Sequence, residues 1–280
     1  MVTRHLVLKR VGEVLSLIAL SALLLVMVFP LIMITITSFK TETEYYANGP
    51  LSLPERINLD IIIGTWERTE YTGKLVNSTI VSATTALLAT GLSLLNAFAL
   101  GIGKIKGRAL ILLFFMLAMT LPGEALIYPL YYFFKLTHLY DTLASVILAS
   151  TVLSASFGTY LLTSVFSSFD KEITEAAMID GCNKVRLLFN IVLPISLPAL
   201  SVLFVLFFVG TWNDFFLSLI LLISSRNYTV PVAMALARGE RNLVITTQSA
   251  AALLGILPCL IFFAIFQRTL TRGVTAGSIK

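Results

Sequence analysis

Six long apolar runs, separated by short polar connections, dominate the hydrophobic pattern of this chain. A bilayer core of about 30 Å requires roughly 20 predominantly apolar residues in a helix, and every run reaches that length. The pattern therefore predicts an all-α membrane protein whose 280 residues form a single domain of six transmembrane helices. The predicted spans are residues 11–39, 77–103, 109–134, 142–166, 197–223 and 246–267.

The composition agrees with the hydrophobic pattern. Hydrophobic residues make up 57% of the chain and charged residues 12%, whereas soluble domains carry about 25% charged residues. A water-soluble fold is therefore excluded, and helices are expected because they satisfy their own backbone groups in a bilayer. The first run follows Arg4, Lys9 and Arg10 and lacks a small-residue cleavage site, so we expect a retained helix and not a removed signal peptide.

The positions of Lys and Arg predict the orientation of the chain. Positive residues collect in the cytoplasmic flanks of membrane helices. If the N-terminus is cytoplasmic, twelve of the 20 Lys and Arg residues lie inside, and the C-terminus is cytoplasmic as well. The net charge of +5 forms no continuous basic face along the sequence, so no nucleic-acid partner is expected.

Two connections are longer than simple turns. The first, residues 40–76, is polar and contains Asn48, Gly49, Pro50 and Pro54, all of which favour turns. We expect this cap segment to lie on the external side. The second, residues 167–197, joins the fourth and fifth spans on the cytoplasmic side and is here called the coupling loop.

The coupling loop is predicted to contain two short helices. Asp170 or Ser168 can cap the first helix, and Gly181 stops it because glycine adopts positive φ without strain. Asn183 can cap the second helix. That helix is expected to end near Pro194, because the residue before a proline is pushed out of the α region.

The first of these helices has the features of a docking surface. Ala176 and Ala177 give a flat face onto which another protein can pack, and Glu175 and Asp180 border that face with charge. The helical pattern alone fits equally well an amphipathic connector that lies on the membrane surface.

The same residues resemble a known family. Glu175-Ala176-Ala177, Gly181, Ile191 and Leu193-Pro194 match without gaps the E-A-A-x3-G-x9-I-x-L-P signature of bacterial ABC importer permeases. The resemblance implies the type I importer permease fold and a location in the bacterial inner membrane. It also implies that Glu175, Ala176, Ala177, Asp180 and Gly181 contact a partner ATPase subunit.

Further resemblance extends along nearly the whole chain and is similar to the carbohydrate-uptake branch, which includes the second permease of maltose-type systems. The matching segments are Ser38-Phe39-Lys40, Asn77-Ser78, Trp212-Asn213-Asp214-Phe215, Gln267-Arg268 and the tail, residues 273–280. The resemblance implies that the tail reaches the ATPase pair through Gly273, Thr275, Ala276 and Gly277. Small residues and two glycines favour an extended tail; a frayed terminus is the alternative.

The resemblance also implies the partners of the chain. They are a second permease subunit, two ATPase subunits, an external solute-binding protein and membrane lipid. The sequence has no G-x-x-x-x-G-K-[ST] phosphate loop, so we expect no cofactor in this chain and ATP and Mg on the ATPase subunits. The chain itself is then not an enzyme, and it moves a sugar, polyol or glycerol-phosphate type of solute.

Polar groups inside the spans are candidates for the solute pathway, because ionisable side chains are costly there unless they face protein or water. Glu124 lies in the third span, and Asn213, Asp214 and Ser218 share one face of the fifth at helical spacing. Each can line the pathway, or it can pair within the protein. Gly91 and Gly158 allow close approach of helices.

Two other classes of protein compete with this interpretation. An ion-coupled secondary transporter would show paired half-repeats and acidic groups at the midplane, and no convincing pair is present. An intramembrane enzyme would need catalytic groups that face one another, and the sequence suggests no such set.

Overall fold

The computed structural model describes residues 2–103, 105–236 and 244–276. These residues form helices and turns but no strand, so the predicted all-α class is confirmed. The α-helices are α1 (Val2–Ser38), α2 (Glu42–Asn48), α3 (Asp60–Arg68), α4 (Tyr71–Gly101), α5 (Arg108–Thr120), α6 (Ile127–Leu136), α7 (Leu143–Ser167), α8 (Lys171–Ile179), α9 (Lys184–Arg186), α10 (Leu193–Trp212), α11 (Phe216–Leu221), α12 (Val230–Leu236) and α13 (Ile245–Ala276). Two 3₁₀ helices (Gly123–Leu126 and Ser225–Asn227) and a π-helix (Leu187–Val192) complete the set.

The long helices agree with the predicted spans. In the described part of the chain, five helices are long and apolar enough to cross a membrane. One bent pair brings the number to six if it is counted as a single span. The five are Gly12–Ser38, Tyr71–Gly101, Leu143–Ser167, Lys184–Trp212 and Ile245–Arg268, and the bent pair is Arg108–Thr120 with Gly123–Leu136.

The third span is not the continuous helix that was predicted over residues 109–134. Its two halves meet at an angle of 95°. Leu121 has an extended backbone (φ −68°, ψ 126°) because it precedes Pro122, whose ring excludes the α conformation at the residue before it. Gly123 then begins a short 3₁₀ helix that leads into α6.

The fifth span is also interrupted, and its predicted limits of 197–223 are wrong at both ends. Helix α10 begins at Leu193 and ends at Trp212, and α11 begins at Phe216. The carboxylate of Asp214 accepts hydrogen bonds from the Ser218 amide (3.1 Å) and the Ser218 hydroxyl (3.0 Å). A short acidic side chain thus takes the place of a backbone acceptor and starts a new helix.

The chain divides into two compact units. The first unit contains residues 1–69 and 234–256, and the second contains residues 70–233 and 257–280. In the first unit the side chain of Lys40 is completely buried. Its ammonium donates to Gly49 O (3.1 Å), Pro50 O (3.2 Å) and Ser52 Oγ (2.9 Å). These acceptors match the three donors of an ammonium and hold the turn after α2 in place.

In the second unit, α4 and α7 pack closely through small residues. A side chain at Gly158 would place its Cβ only 2.2 Å from Ser93 Oγ and 2.8 Å from Phe207 Cζ. Gly158 therefore permits the predicted close approach of helices. The same expectation for Gly91 is wrong, because nothing in the described structure lies within 4 Å of its hypothetical Cβ and it borders an apolar groove.

Asp141 connects the α6–α7 loop to the segment that follows α11. Its Oδ1 accepts from the amides of Ile223 and Ser224, each at 2.9 Å, and its Oδ2 accepts from the Ser224 hydroxyl. Asn227 Nδ2 donates to the backbone carbonyl of Asp141 (2.6 Å). Burial alone would raise the pKa of Asp141, but these donors outweigh burial and lower the pKa to about 2. The carboxylate is therefore charged at neutral pH.

Asn77 and Ser78 hold the same segment from the other side. Asn77 Nδ2 donates to Arg226 O (2.8 Å) and Tyr228 O (3.1 Å), and Ser78 Oγ accepts from the Val230 amide (2.7 Å). These contacts give a structural reason for a pair of residues that the sequence analysis had singled out only by resemblance. The segment from 222 to 230, which contains the 3₁₀ helix Ser225–Asn227, is thus held at both of its sides by side-chain contacts.

Two boundaries differ from expectation. The second span begins at Tyr71 and not at residue 77, so the last residues of the cap segment are helical. Helix α13 continues to Ala276, so the prediction of an extended tail is wrong for residues 273–276. A long helix adds each further residue without a new nucleation cost, and weak local propensity therefore does not stop it. Residues 277–280 lie outside the described residues.

We expect replacement of Gly158 by alanine to destabilise the protein, whereas the matched change Gly91→Ala should not. The added methyl at position 158 meets Ser93 and Phe207 at distances that force them to move, and such overpacking costs about 1–3 kcal/mol. At position 91 alanine enters open space and gains up to about 1 kcal/mol of helix propensity. The thermal unfolding midpoints of the two detergent-purified variants test this, and equal midpoints would contradict it.

Candidate functional site

The first helix of the coupling loop is defined at both ends by its sequence. The Asp170 carboxylate accepts from the Glu172 amide (3.0 Å) and caps α8, as predicted. At the other end, the Cys182 amide donates to Ala177 O (3.0 Å) and the Gly181 amide to Met178 O (3.1 Å). This pair of bonds requires a left-handed residue, and Gly181 has φ +78°.

The two alanines of the signature face in different directions. Ala177 is buried together with Thr174, and they anchor α8 to its own chain. Ala176 is exposed, as are Glu175, Asp180 and Gly181. The expectation of a flat face formed by both alanines is therefore wrong, since adjacent residues on a helix point about 100° apart.

Apolar side chains complete the exposed surface of α8. Ile179 is 86% exposed and Met178 is more than half exposed. Large exposed apolar groups beside charges are typical of a protein contact site. We call this surface the coupling face, and it consists of Glu175, Ala176, Met178, Ile179 and Asp180.

The second helix of the loop does not end at Pro194 as predicted. Asn183 Oδ1 accepts from the Arg186 amide (2.9 Å) and caps α9, but the chain then stays helical through the π-helix into α10. The Leu193 amide donates to Leu188 O, five residues back. This wider turn accommodates Pro194, which lacks an amide and whose ring would clash with a carbonyl in a regular helix.

A cavity of about 250 Å³ lies where the two interrupted spans come together, and we call it the break cavity. The 3₁₀ helix after the third-span bend contributes Gly123 and Glu124, and the interruption after α10 contributes Asp214. Irregular backbone at membrane depth is tolerated where it is enclosed by protein or lines a cavity. The lining residues are Gly123, Glu124, Ile127, Ser150, Leu153, Ser154, Leu206, Phe207, Gly210, Thr211, Asp214, Phe216 and Leu217.

Of the four candidates for the solute pathway, two line the break cavity and two do not. Glu124 and Asp214 line it, although they are 90 residues apart in the sequence. Asn213 and Ser218 do not. The side-chain Nδ2 of Asn213 donates to Val209 O (2.8 Å), and the amide and hydroxyl of Ser218 donate to the Asp214 carboxylate. The predicted common face of the fifth span is lost because the helix is interrupted at this point.

Three hydroxyl residues of the cavity escaped the sequence analysis. Ser150, Ser154 and Thr211 line it beside the two acidic groups. Serine and threonine are frequent in most of the apolar spans of this chain, so only the position of the breaks identifies these three. In the described residues, no three His, Cys, Asp or Glu side chains are placed to hold a metal ion. The polar chemistry of the cavity is therefore that of hydrogen bonds and carboxylate charge.

The predicted ATPase-contacting tail is described only in part. The backbone of α13 includes Gly273, Thr275 and Ala276. Gly277 lies outside the described residues.

Comparisons with known proteins agree with this architecture. The family model described as "Binding-protein-dependent transport system inner membrane component" matches residues 92–276. The sulfoquinovosyl glycerol transport system permease protein of Agrobacterium fabrum is 34% identical over 96% of this chain and 94% of the relative. The trehalose/maltose transport system permease protein of Thermococcus litoralis is 27% identical over 99% of both chains.

An inner membrane ABC transporter permease protein of Escherichia coli is 30% identical over 93% of this chain and 94% of its own length. Among solved structures, a bacterial ABC transporter involved in the import of the acidic polysaccharide alginate superposes with a TM-score of 0.82. It covers 92% of this chain and 96% of its own at 19% identity, and so shares the fold. The alternative of an ion-coupled secondary transporter is wrong, and the chain belongs to the family of inner-membrane permease components of binding-protein-dependent ABC transport systems.

Proposed function

We propose that this chain is one of two permease subunits of an ATP-driven importer that brings a sugar or a sugar-like solute into the cytoplasm. The observation that carries the proposal is the coupling face, a charged and apolar surface on a helix whose two ends are fixed by Asp170 and Gly181. The sugar names of several relatives support the solute class, which includes oligosaccharides, polyols and glycerol phosphates.

The proposed complex contains a second permease subunit, two ATPase subunits and an external solute-binding protein, with lipid around the apolar spans. ATP and Mg bind to the ATPase subunits and not to this chain. The coupling face lies in the cytoplasm and packs into a cleft on one ATPase subunit. Both termini lie on the same side, because six spans return the chain to the side from which it starts, and the Lys and Arg bias makes this side the cytoplasm.

The structure supports a mechanical route from the ATPase to the solute. Helix α8 packs against the π-helix, and the π-helix continues without interruption into α10. Twenty residues of α-helix extend about 30 Å, and α10 has this length before it ends beside the break cavity. Movement of α8 on closure of the ATPase pair therefore displaces the far end of α10, where Asp214 lies. ATP hydrolysis resets the helix.

The function predicts that uptake depends on ATP and not on an ion gradient. The complete complex in proteoliposomes, supplied with its binding protein and a radiolabelled sugar, should accumulate the sugar when ATP is enclosed with the ATPase subunits. Ionophores should leave the rate unchanged. Accumulation without ATP, or its loss on addition of ionophores, would overturn the proposal.

Replacement of Gly181 by valine should abolish uptake while the chain still reaches the membrane. A β-branched residue is strained at φ +78° and would unwind the end of α8 that presents the coupling face. Gly181→Asn should retain part of the uptake, because asparagine tolerates the left-handed region. The matched control is Gly107→Val, which has the same strain at φ +79° in another connection. Equal uptake in the two valine variants would assign α8 a passive role.

The tail should lie in the cytoplasm against the ATPase pair. A cysteine introduced as Ser278→Cys, in a chain with Cys182→Ser and Cys259→Ser, should react with a membrane-impermeant maleimide in inside-out vesicles but not in intact cells. The ATPase subunits should slow this reaction. Labelling from the external side would contradict the topology, and labelling that ignores the ATPase subunits would contradict the contact.

A further inference from the structure

Three hydroxyls that line the break cavity have no hydrogen-bond partner within the described residues. Ser150 is 8% exposed and Thr211 is 9% exposed. Neither side chain makes a hydrogen bond within the described residues, and the same holds for Ser154, one helical turn beyond Ser150. A hydroxyl that opens onto a cavity and has no protein partner keeps both its donor and its acceptor capacity free. These groups are therefore available to a ligand in the cavity.

Three other hydroxyls of α7 bond to backbone carbonyls of their own segment, whereas that of Thr151 is buried without a partner. Ser145, Ser156 and Thr163 donate to the backbone carbonyls of Thr142 (2.8 Å), Val152 (3.2 Å) and Thr159 (2.6 Å). This local bond is the common fate of a hydroxyl in an apolar helix. Ser150 and Ser154 differ from them because they border the cavity and leave their hydroxyls unpaired.

The charge of the cavity restricts what it can hold. Glu124 and Asp214 are the ionisable residues of its lining, and both are acidic. The cap contact with Ser218 fixes the Asp214 carboxylate in its orientation. Carboxylates accept hydrogen bonds from hydroxyl and ammonium groups, whereas a second anion beside them is repelled.

The size and the apolar walls of the cavity favour one sugar ring. Its volume of about 250 Å³ is smaller than the pockets of roughly 300–1,000 Å³ that enclose a whole drug-sized ligand. Phe207, Leu153 and Leu206 provide apolar walls against which the C–H face of a ring can pack, and the polar groups face the ring hydroxyls.

We propose that the break cavity is a subsite for one uncharged or amino-substituted sugar ring and that it excludes sugars that carry a carboxylate, sulfonate or phosphate group. This inference rests on the proposed function and narrows it, because it removes glycerol phosphates from the class of transported solutes. Glu124, Asp214, Ser150, Ser154 and Thr211 are the recognition residues.

Cysteine protection tests the subsite without the binding protein. The complete complex in proteoliposomes carries Ser154→Cys with Cys182→Ser and Cys259→Ser, and the reaction of that cysteine with N-ethylmaleimide is followed by mass spectrometry. Methyl glucoside and glucosamine should slow the reaction several-fold, and glucuronate should not. With Glu124→Gln added, glucuronate should begin to protect. Equal protection by all three sugars, or protection by none, would overturn the subsite.

Uptake kinetics separate this inference from the proposed function. Thr211→Val keeps the side-chain shape but removes the hydroxyl, so the KM for a transported neutral sugar should rise about tenfold, which corresponds to about 1.4 kcal/mol. The control Ser156→Ala removes a hydroxyl of α7 that lies outside the cavity and should leave KM unchanged. ATP-driven uptake with an unaltered KM in Thr211→Val would refute the subsite alone. Absence of sugar uptake in the unmodified complex would refute the function.

Discussion

The organisation of this chain depends on one constraint, which is that backbone donors and acceptors removed from water need partners inside the protein. Regular helices meet the constraint automatically, and most of the described residues are helical. The difficulty arises where a helix stops, because several backbone donors or acceptors then lose their partners. At several such places in the described structure, a particular side chain or an unusual turn resolves the problem.

The solutions differ in chemistry but not in principle. The Lys40 ammonium donates to three oxygen atoms, and the carboxylates of Asp141 and Asp214 accept hydrogen bonds from backbone amides. The side-chain amide of Asn77 donates to two backbone carbonyls. Charge-assisted hydrogen bonds of this kind are stronger than neutral ones, which suits them to irregular backbone in apolar surroundings. These polar residues, which lie in or near apolar runs, therefore stabilise the fold in addition to any contact with solute.

Much of the fold follows from the sequence because length and hydropathy decide it. The all-α class and the number of spans were predicted from runs of apolar residues, and Asp170, Gly181 and Asn183 marked helix ends by local rules that hold in any context. The breaks were not predicted. Pro122 pointed to one of them, but a proline in a membrane helix either bends or interrupts it according to the neighbours that satisfy the freed groups. The effect of Pro194 was likewise hidden, since the π-helix depends on packing and not on a residue pattern.

The candidate site divides in the same way. The coupling loop is contiguous in sequence, so its signature could be read directly, although the sequence could not show that Ala177 faces inward and Ala176 outward. The break cavity combines residues from three distant segments of the chain, and the sequence named Glu124 and Asp214 as separate pathway candidates without showing that they line one cavity. Ser150 and Thr211 resemble the many other hydroxyls of the apolar helices until their surroundings are known.

The π-helix sets a rotational phase between the two ends of the transmission route. A π-turn holds one more residue per hydrogen-bonded ring than an α-turn, and one residue corresponds to a rotation of about 100° around the helix axis. A chain one residue shorter between Leu187 and Val192 would keep a continuous helix, yet the coupling face would point in a different direction relative to the end of α10. The π-helix thus fixes the direction of the coupling face relative to the end of α10. A length change of one residue there alters the direction in which movement of α8 displaces α10, although all contacting side chains stay the same.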